Sequence, residues 1–179
     1  MSNIERTELE TVLDNFLETV IEKSRANLSS KGISASGSLG NSFKGFVKES
    51  PNSIEATISA EDYLPFIDKG VEGVKSGKSL GGFKFKSKGG KRGLKGMPPP
   101  SAFDKWNVIR GRAGRDEKGR FLTRKQLNFR TAVGVFNYGI KPTSFFSDPF
   151  EEEFKKLPQE LVEAYGLDVD IFMELVLKE

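Results

Sequence analysis

The chain has 179 residues, a formal net charge of +3, and neither cysteine nor histidine. This length suits one domain with a sizeable core, and the missing residue types exclude disulfide scaffolds, Cys/His zinc sites and Ser-His-Asp triads. No apolar run approaches the roughly 18 residues of a membrane span, and the acidic start lacks the basic flank of a signal peptide, so we expect a soluble intracellular protein.

The first predicted element is a long helix. Between residues 4 and 28, large apolar side chains recur at the i, i+3, i+4, i+7 spacing of a single helical face. Acidic residues lie near the start of this segment and basic residues lie toward its end, as the helix dipole favours. We therefore predict an amphipathic helix that covers the core and stops near Gly32.

A hairpin is predicted next, because the apolar period changes to two. Residues 43–48 and 54–58 have strand patterns, and the Ser-Pro-Asn-Ser segment between them is typical of a turn. In the second strand, isoleucine and alanine alternate with polar residues, which indicates one wet face. A short helical turn that ends at Gly70 should then pack against the sheet.

The middle of the chain is strongly basic. Residues 71–120 contain 14 Lys/Arg and 4 Asp/Glu, and residues 74–97 contain eight Lys/Arg, seven Gly and no acid. Because this stretch has little apolar surface to offset its ordering entropy, we expect it to be flexible. Alternation around Phe83 and Phe85 indicates a short edge strand or hairpin within it.

The cations of this middle region are candidate contacts to DNA phosphates or to an acidic neighbouring protein, although a solvated loop would look the same. These residues are Lys75, Lys78, Lys84, Lys86, Lys88, Lys91, Arg92, Lys95, Arg110, Arg112 and Arg115. Phosphate contact needs only cations on a flexible backbone and carries no sequence information. Phe83, Phe85 and Phe121 have the aromatic rings to stack on single-stranded bases, but the simpler prediction for them is burial in a core or an interface.

Helical patterns fill the rest of the chain. Residues 102–109 fit a short helix that contains Trp106, and a polar, basic loop follows at 110–120. Thr123 is a favourable N-cap for a second central helix, which should end before Gly139.

The C-terminal region is acidic, with 10 Asp/Glu and 3 Lys/Arg in residues 143–179. One helix should begin near Pro149. Residues 158–165 and 168–177 then have the patterns of two short acidic helices.

Three short blocks in this order are similar to those of a known family. They are residues 36–43 (SGSLGNSF), 63–70 (YLPFIDKG) and 139–146 (GIKPTSFF). With the long helix before them, they make residues 4–157 resemble the tail-completion, or head-tail joining, proteins of tailed bacteriophages. The residues that carry the resemblance are Gly37, Leu39, Ser42, Tyr63, Phe66, Asp68, Gly70, Trp106, Gly139, Pro142, Phe145 and Phe146. Each of them also has a plain interpretation as a core or turn residue.

We predict an α+β fold: a small antiparallel β-sheet of three to five strands, packed against the long N-terminal helix and the second central helix, with short C-terminal helices. Residues 1–157 should form one tail-completion-like domain with a flexible basic insertion at about 71–100. Residues 158–179 should form an acidic helical extension.

The resemblance implies a structural virion protein of the phage neck. Such a protein forms a ring, a hexamer or a dodecamer, that joins the portal or connector of the head to the tail tube and lines or surrounds the DNA path. The implied partners are connector and tail proteins, with nonspecific contact to DNA phosphates and none to a membrane. Neither enzyme activity nor a catalytic, metal or cofactor site is implied.

Two alternatives belong to other classes. A basic nucleic-acid-binding accessory protein would use the same cations and would show salt-dependent affinity. A magnesium-dependent nuclease needs neither histidine nor cysteine, but the sequence lacks a convincingly spaced set of carboxylates.

Overall fold

The computed structural model describes residues 7–33, 37–50, 53–77, 82–90 and 93–177, with side chains up to residue 168. These residues form helices and short antiparallel strands, which confirms the predicted α+β class. The helices are α1 (Glu8–Ser30), α2 (Ser38–Ser42), α3 (Leu64–Asp68), α4 (Asp104–Ile109), α5 (Arg124–Tyr138), α6 (Ser147–Phe154) and α7 (Leu157–Leu177). The strands are β1 (Lys44–Ser50), β2 (Ser53–Ser59), β3 (Val71–Glu72) and β4 (Gly139–Ile140).

The chain divides into two compact units. Unit 1 comprises Met1–Ile33, Ser38–Glu61 and Phe145–Glu179, and it contains α1, α2, the β1–β2 hairpin, α6 and α7. Unit 2 comprises Ser34–Gly37 and Asp62–Ser144, and it contains α3, β3, α4, α5 and β4.

Helix α1 organises unit 1, as its apolar stripe predicts. Leu13, Phe16, Leu17 and Val20 of α1 form a buried cluster with Leu157. Half-buried side chains of the β1–β2 hairpin and of α6 pack against this cluster. Burying one such large apolar side chain contributes about 1.5–3 kcal/mol, so this stripe fixes how the elements of unit 1 are arranged.

The predicted hairpin is confirmed, but the prediction that one sheet contains three to five strands is wrong. Strands β1 and β2 pair antiparallel in register from Lys44 opposite Ser59 to Ser50 opposite Ser53. Strands β3 and β4 form a separate two-stranded sheet in unit 2. Within the described residues, the third sequence block supplies only the two residues of β4 to strand pairing, and the block lies between the end of α5 and the start of α6.

A series of phenylalanines completes the core of unit 1. Phe43 stacks on Phe146 with ring centroids 6.0 Å apart, and Phe146 stacks on Phe150 at 5.8 Å. Phe150 also meets Phe16 of α1 edge to face at 5.7 Å. Phe145 is fully buried. The aromatic pair of the third sequence block is therefore a core anchor.

The two predicted C-terminal helices are one continuous helix, α7. Leu157 and Ala164 are buried in unit 1, and this burial offsets the roughly 1 kcal/mol that Gly166 costs inside a helix. The Asp168 carboxylate accepts hydrogen bonds from the backbone N–H groups of Glu8 (3.0 Å) and Leu9 (3.3 Å). The acidic helix thus caps the start of α1, where the helix dipole favours negative charge.

Unit 2 is built on α5, whose start is as predicted. Thr123 and Gln126 form a reciprocal capping box, and Ala132 and Phe136 are completely buried. Helix α5 leads directly into β4, which pairs with β3. The second central helix therefore packs with the β3–β4 sheet, and α1 packs with the β1–β2 hairpin.

Candidate interaction site

The described lysines of the basic stretch, Lys75, Lys84, Lys86, Lys88 and Lys95, are all exposed. Three other predicted cations, Lys78, Lys91 and Arg92, lie outside the described residues. Among the described pairs, Lys84 contacts Glu72 at 3.2 Å. None of these described lysines lines either of the two best-formed pockets, so their contribution to a partner would be positive charge and not a shaped binding site.

The alternation at residues 83–85 explains this exposure. The Glu72 N–H donates to the Phe83 carbonyl at 2.7 Å, and the Phe85 N–H donates to the Glu72 carbonyl at 2.9 Å. Phe83 packs edge to face on Phe66 at 4.7 Å, and Phe85 lies 5.9 Å from the Phe136 ring. The predicted edge strand is present as a bridge beside β3, and its two rings are half-buried.

The most developed surface lies after α4, in the loop predicted only as polar and basic. The Arg112 guanidinium lies 4.1 Å from the centre of the Trp106 ring, and that of Arg110 lies 5.7 Å from it. Three backbone hydrogen bonds hold the turn that places them, from the N–H groups of Arg110, Gly111 and Arg112 to the carbonyls of Trp106, Val108 and Asn107, respectively. Cation–π attraction therefore fixes the arginines on the tryptophan.

A second cation–π pair lies in the same loop. The Arg115 guanidinium is 3.9 Å from the Phe121 ring and also donates to the Gly119 carbonyl at 2.6 Å. Asp116 closes the turn, because its carboxylate accepts the backbone N–H groups of Lys118 and Arg120 at 2.9 Å each. These bonds, the Arg120 backbone N–H first, lower the pKa of Asp116 below its ordinary value. The Asp and Gly of this segment are turn signals that sequence reasoning passed over.

A shallow pocket of about 250 Å³ separates the two pairs. Its lining residues are Asn107, Val108, Arg112, Ala113, Phe121, Leu122, Arg124 and Leu127. Apolar side chains around it are exposed, with 56% of Val108, 53% of Ile109 and 64% of Phe121 open to solvent. We call the set Trp106, Val108, Ile109, Arg110, Arg112, Arg115 and Phe121 the arginine–aromatic surface. The exposure of Phe121 differs from the predicted burial in a core, and burial in an interface stays a prediction.

A polar network holds α4 under this surface. Asn107 and Asn128 are buried, and the Asn107 amide donates to the Asn128 side-chain oxygen at 2.8 Å. Asn128 in turn donates to Asp104 at 2.8 Å, and Arg124 donates both a Nε and a Nη bond to the same carboxylate. The Arg124 hydrogen bonds, and then that of Asn128, hold the pKa of Asp104 below its usual range. Buried and satisfied polar groups of this kind give the surface a rigid base.

The residues of the three sequence blocks serve the fold. Leu39 and Phe145 are buried, and the Ser42 hydroxyl donates to the Leu39 carbonyl and accepts the Glu61 N–H. Gly37 has a left-handed φ of 74° that a side chain would strain. Tyr63 begins α3 and is 38% exposed. The plain interpretation as core and turn residues accounts for this group.

The second and third blocks meet in unit 2. The carbonyl of Asp68, a buried residue, accepts the N–H groups of Thr143 (2.9 Å) and Ser144 (3.0 Å). A Cβ on Gly70 would lie 2.7 Å from the Ile140 carbonyl oxygen and from the Pro142 nitrogen. These contacts require glycine at position 70 and explain why the two blocks occur together.

In the described part of the chain, no group of three or more acidic residues is placed to hold a metal ion. None of its helices combines the length and the apolarity needed to cross a bilayer. No protein-family model, no curated protein and no solved structure matches the chain, and the resemblance to tail-completion proteins therefore stays a prediction.

Proposed function

We propose that this chain is a structural subunit of the phage neck, which assembles into a ring through contacts between its two unlike units and performs no chemistry. The observation that carries the proposal is the division of charge between the units. The sequence segments of unit 2 contain 19 Lys/Arg and 6 Asp/Glu, a net charge of +13. Those of unit 1 contain 9 Lys/Arg and 19 Asp/Glu, a net charge of −10.

Such a division favours assembly from head to tail. In a closed heterologous ring, one patch of each subunit meets a different patch of the next copy. Opposite net charges on the two patches steer the copies together and disfavour contact between like units. The nearly neutral sum of the whole chain hides this property, which becomes apparent only when charge is counted by unit.

The same charge suits the path of DNA through a neck. Exposed lysines of unit 2, such as Lys86, Lys88 and Lys95, carry positive charge that phosphates attract without regard to sequence. A ring can use part of this charge at its subunit contacts and part in its lumen. Connector and tail proteins are the neighbours that the sequence resemblance implies.

The test is the mass of the purified protein at about 0.1 M and about 1 M salt, between which the screening length falls from about 10 to about 3 Å. We expect a discrete oligomer at low salt that dissociates at high salt. A chain that stays monomeric at low salt and high concentration, and also fails to join purified connector or tail proteins, contradicts the proposal.

The second candidate is a nucleic-acid-binding accessory protein, which the acid-free stretch 74–97 and the exposure of its described lysines favour. Its signature is a monomer that binds duplex DNA, with an affinity that falls linearly on a log–log plot against salt. The mass measurement repeated with DNA distinguishes the two functions, because only the neck subunit oligomerises without it.

A further inference from the structure

Net charge brings two units together but does not select the surfaces that meet. The arginine–aromatic surface has the composition of a protein-binding hot spot, where arginine and tryptophan are enriched and apolar side chains remain exposed until a partner covers them. Half or more of each of Val108, Ile109 and Phe121 is open to solvent.

Arg112 identifies the chemistry of the ligand. Its guanidinium is held against Trp106, and within the described residues its side chain has neither an ion pair nor a hydrogen bond. A guanidinium fixed in this way presents a planar fork of N–H donors that matches a carboxylate. The ligand should therefore carry an acidic group.

The pocket beside Arg112 limits the size of the ligand group that it can hold. About 250 Å³ is below the roughly 300–1,000 Å³ of small-molecule sites, and it suits one aliphatic or aromatic side chain. Nucleic acid is less suitable, since protein–DNA interfaces are polar and would leave Val108 and Ile109 unused. An acidic protein segment with apolar side chains fits both features.

Helix α7 is such a segment. Its 21 residues contain no lysine or arginine. Leu157 and Ala164 face the core of unit 1, so the opposite side of the helix is open. At about 100° per residue, Glu160, Glu163 and Leu167 lie on one flank of this buried pair, and Val162 and Tyr165 lie on the other flank. Leu167, Val162 and Tyr165 are 53%, 73% and 63% exposed.

The spacing on α7 places acid and apolar groups side by side. Glu160, Glu163 and Leu167 follow at i, i+3 and i+7 and so share one stripe about 10 Å long. In the part of the helix whose side chains are described, the Glu163 carboxylate accepts one hydrogen bond, from the Gln159 side-chain amide at 3.1 Å. The stripe is thus open to a partner.

We propose that the exposed face of α7 in one copy docks on the arginine–aromatic surface of the next copy, with Glu163 on Arg112 and an apolar side chain of α7 in the pocket. The contact is heterologous, because an element of unit 1 meets a surface of unit 2. This inference rests on the proposed ring assembly and names its interface.

Charge exchange tests the contact. Arg112→Glu and Glu163→Arg should each weaken self-association about tenfold or more, as measured by sedimentation over a range of concentrations, and the double variant should recover most of the loss. Lys141→Glu is the matched control, because it makes the same charge change at an exposed position of unit 2 outside both the arginine–aromatic surface and the basic stretch. Circular dichroism of each variant verifies that it is folded.

The outcomes separate the two proposals. If the wild-type chain never self-associates, the ring assembly and the docking contact both fail. If it associates and the two exchanges have no effect, or if Lys141→Glu weakens association equally, only the docking contact fails. Loss of association in both single variants without recovery in the double variant also overturns the direct pairing of Arg112 with Glu163.

Discussion

Replacing Gly139 by alanine should unfold unit 2 at much lower temperature. Gly139 ends α5 and begins β4 with φ 83° and ψ −169°, a region that is essentially restricted to glycine. A Cβ there would collide with the Val71 carbonyl oxygen and lie 2.6 Å from the Gly73 nitrogen. Because both obstacles are backbone atoms, β3 and β4 would have to separate to make room.

The magnitude follows from these contacts. Backbone strain at such a position costs about 1–3 kcal/mol, and the collision adds to it, so we expect a loss of about 3 kcal/mol. In a unit of roughly 90 residues, each kcal/mol shifts the melting temperature by roughly 4–8 °C. The transition of unit 2 should therefore fall by about 12–24 °C.

The assay and its control come from the same chain. Trp106 is the single tryptophan and lies in unit 2, so its fluorescence reports the melting of that unit. Gly134→Ala is the matched control: Gly134 is inside α5, and a Cβ there meets nothing within 4 Å. It should stabilise by about 0.5–1 kcal/mol. Equal small effects of the two substitutions would refute the close approach of β3 and β4.

Three further predictions concern single contacts. Asp168→Asn should destabilise unit 1 by about 1 kcal/mol, because the charged cap of α1 is lost. Thermal melting followed by circular dichroism measures this loss, and an unchanged melting temperature would exclude the cap. Phe145→Ala should cost about 3–5 kcal/mol in urea unfolding, since the ring is fully buried, and a loss below 1 kcal/mol would contradict that burial. The Arg124 hydrogen bonds lower the pKa of Asp104 from 3.8, so the stability that they supply is present above pH 3.8 and is lost as the pH falls through the lower pKa of the folded state. Acid unfolding followed by Trp106 fluorescence measures this loss, and Asp104→Asn should make the unfolding less dependent on pH.

The sequence by itself determined the elements whose signals are local. The apolar period predicted α1, the alternation and the Ser-Pro-Asn-Ser turn predicted the β1–β2 hairpin, and Thr123 marked the start of α5. The charge of each segment is likewise a property of the sequence. These features depend on residues within one or two turns of each other, so they can be recognised before any tertiary contact is known.

The tertiary structure decided what depends on distant residues. One continuous α7 follows from its burial in unit 1, and Asp168 caps a helix that begins 160 positions earlier. The candidate site arises because the turn after α4 brings Arg112 back onto Trp106 and leaves Val108 and Ile109 uncovered. Periodicity shows that side chains share a face, but only the packing of other elements decides whether that face is buried or remains open to a partner.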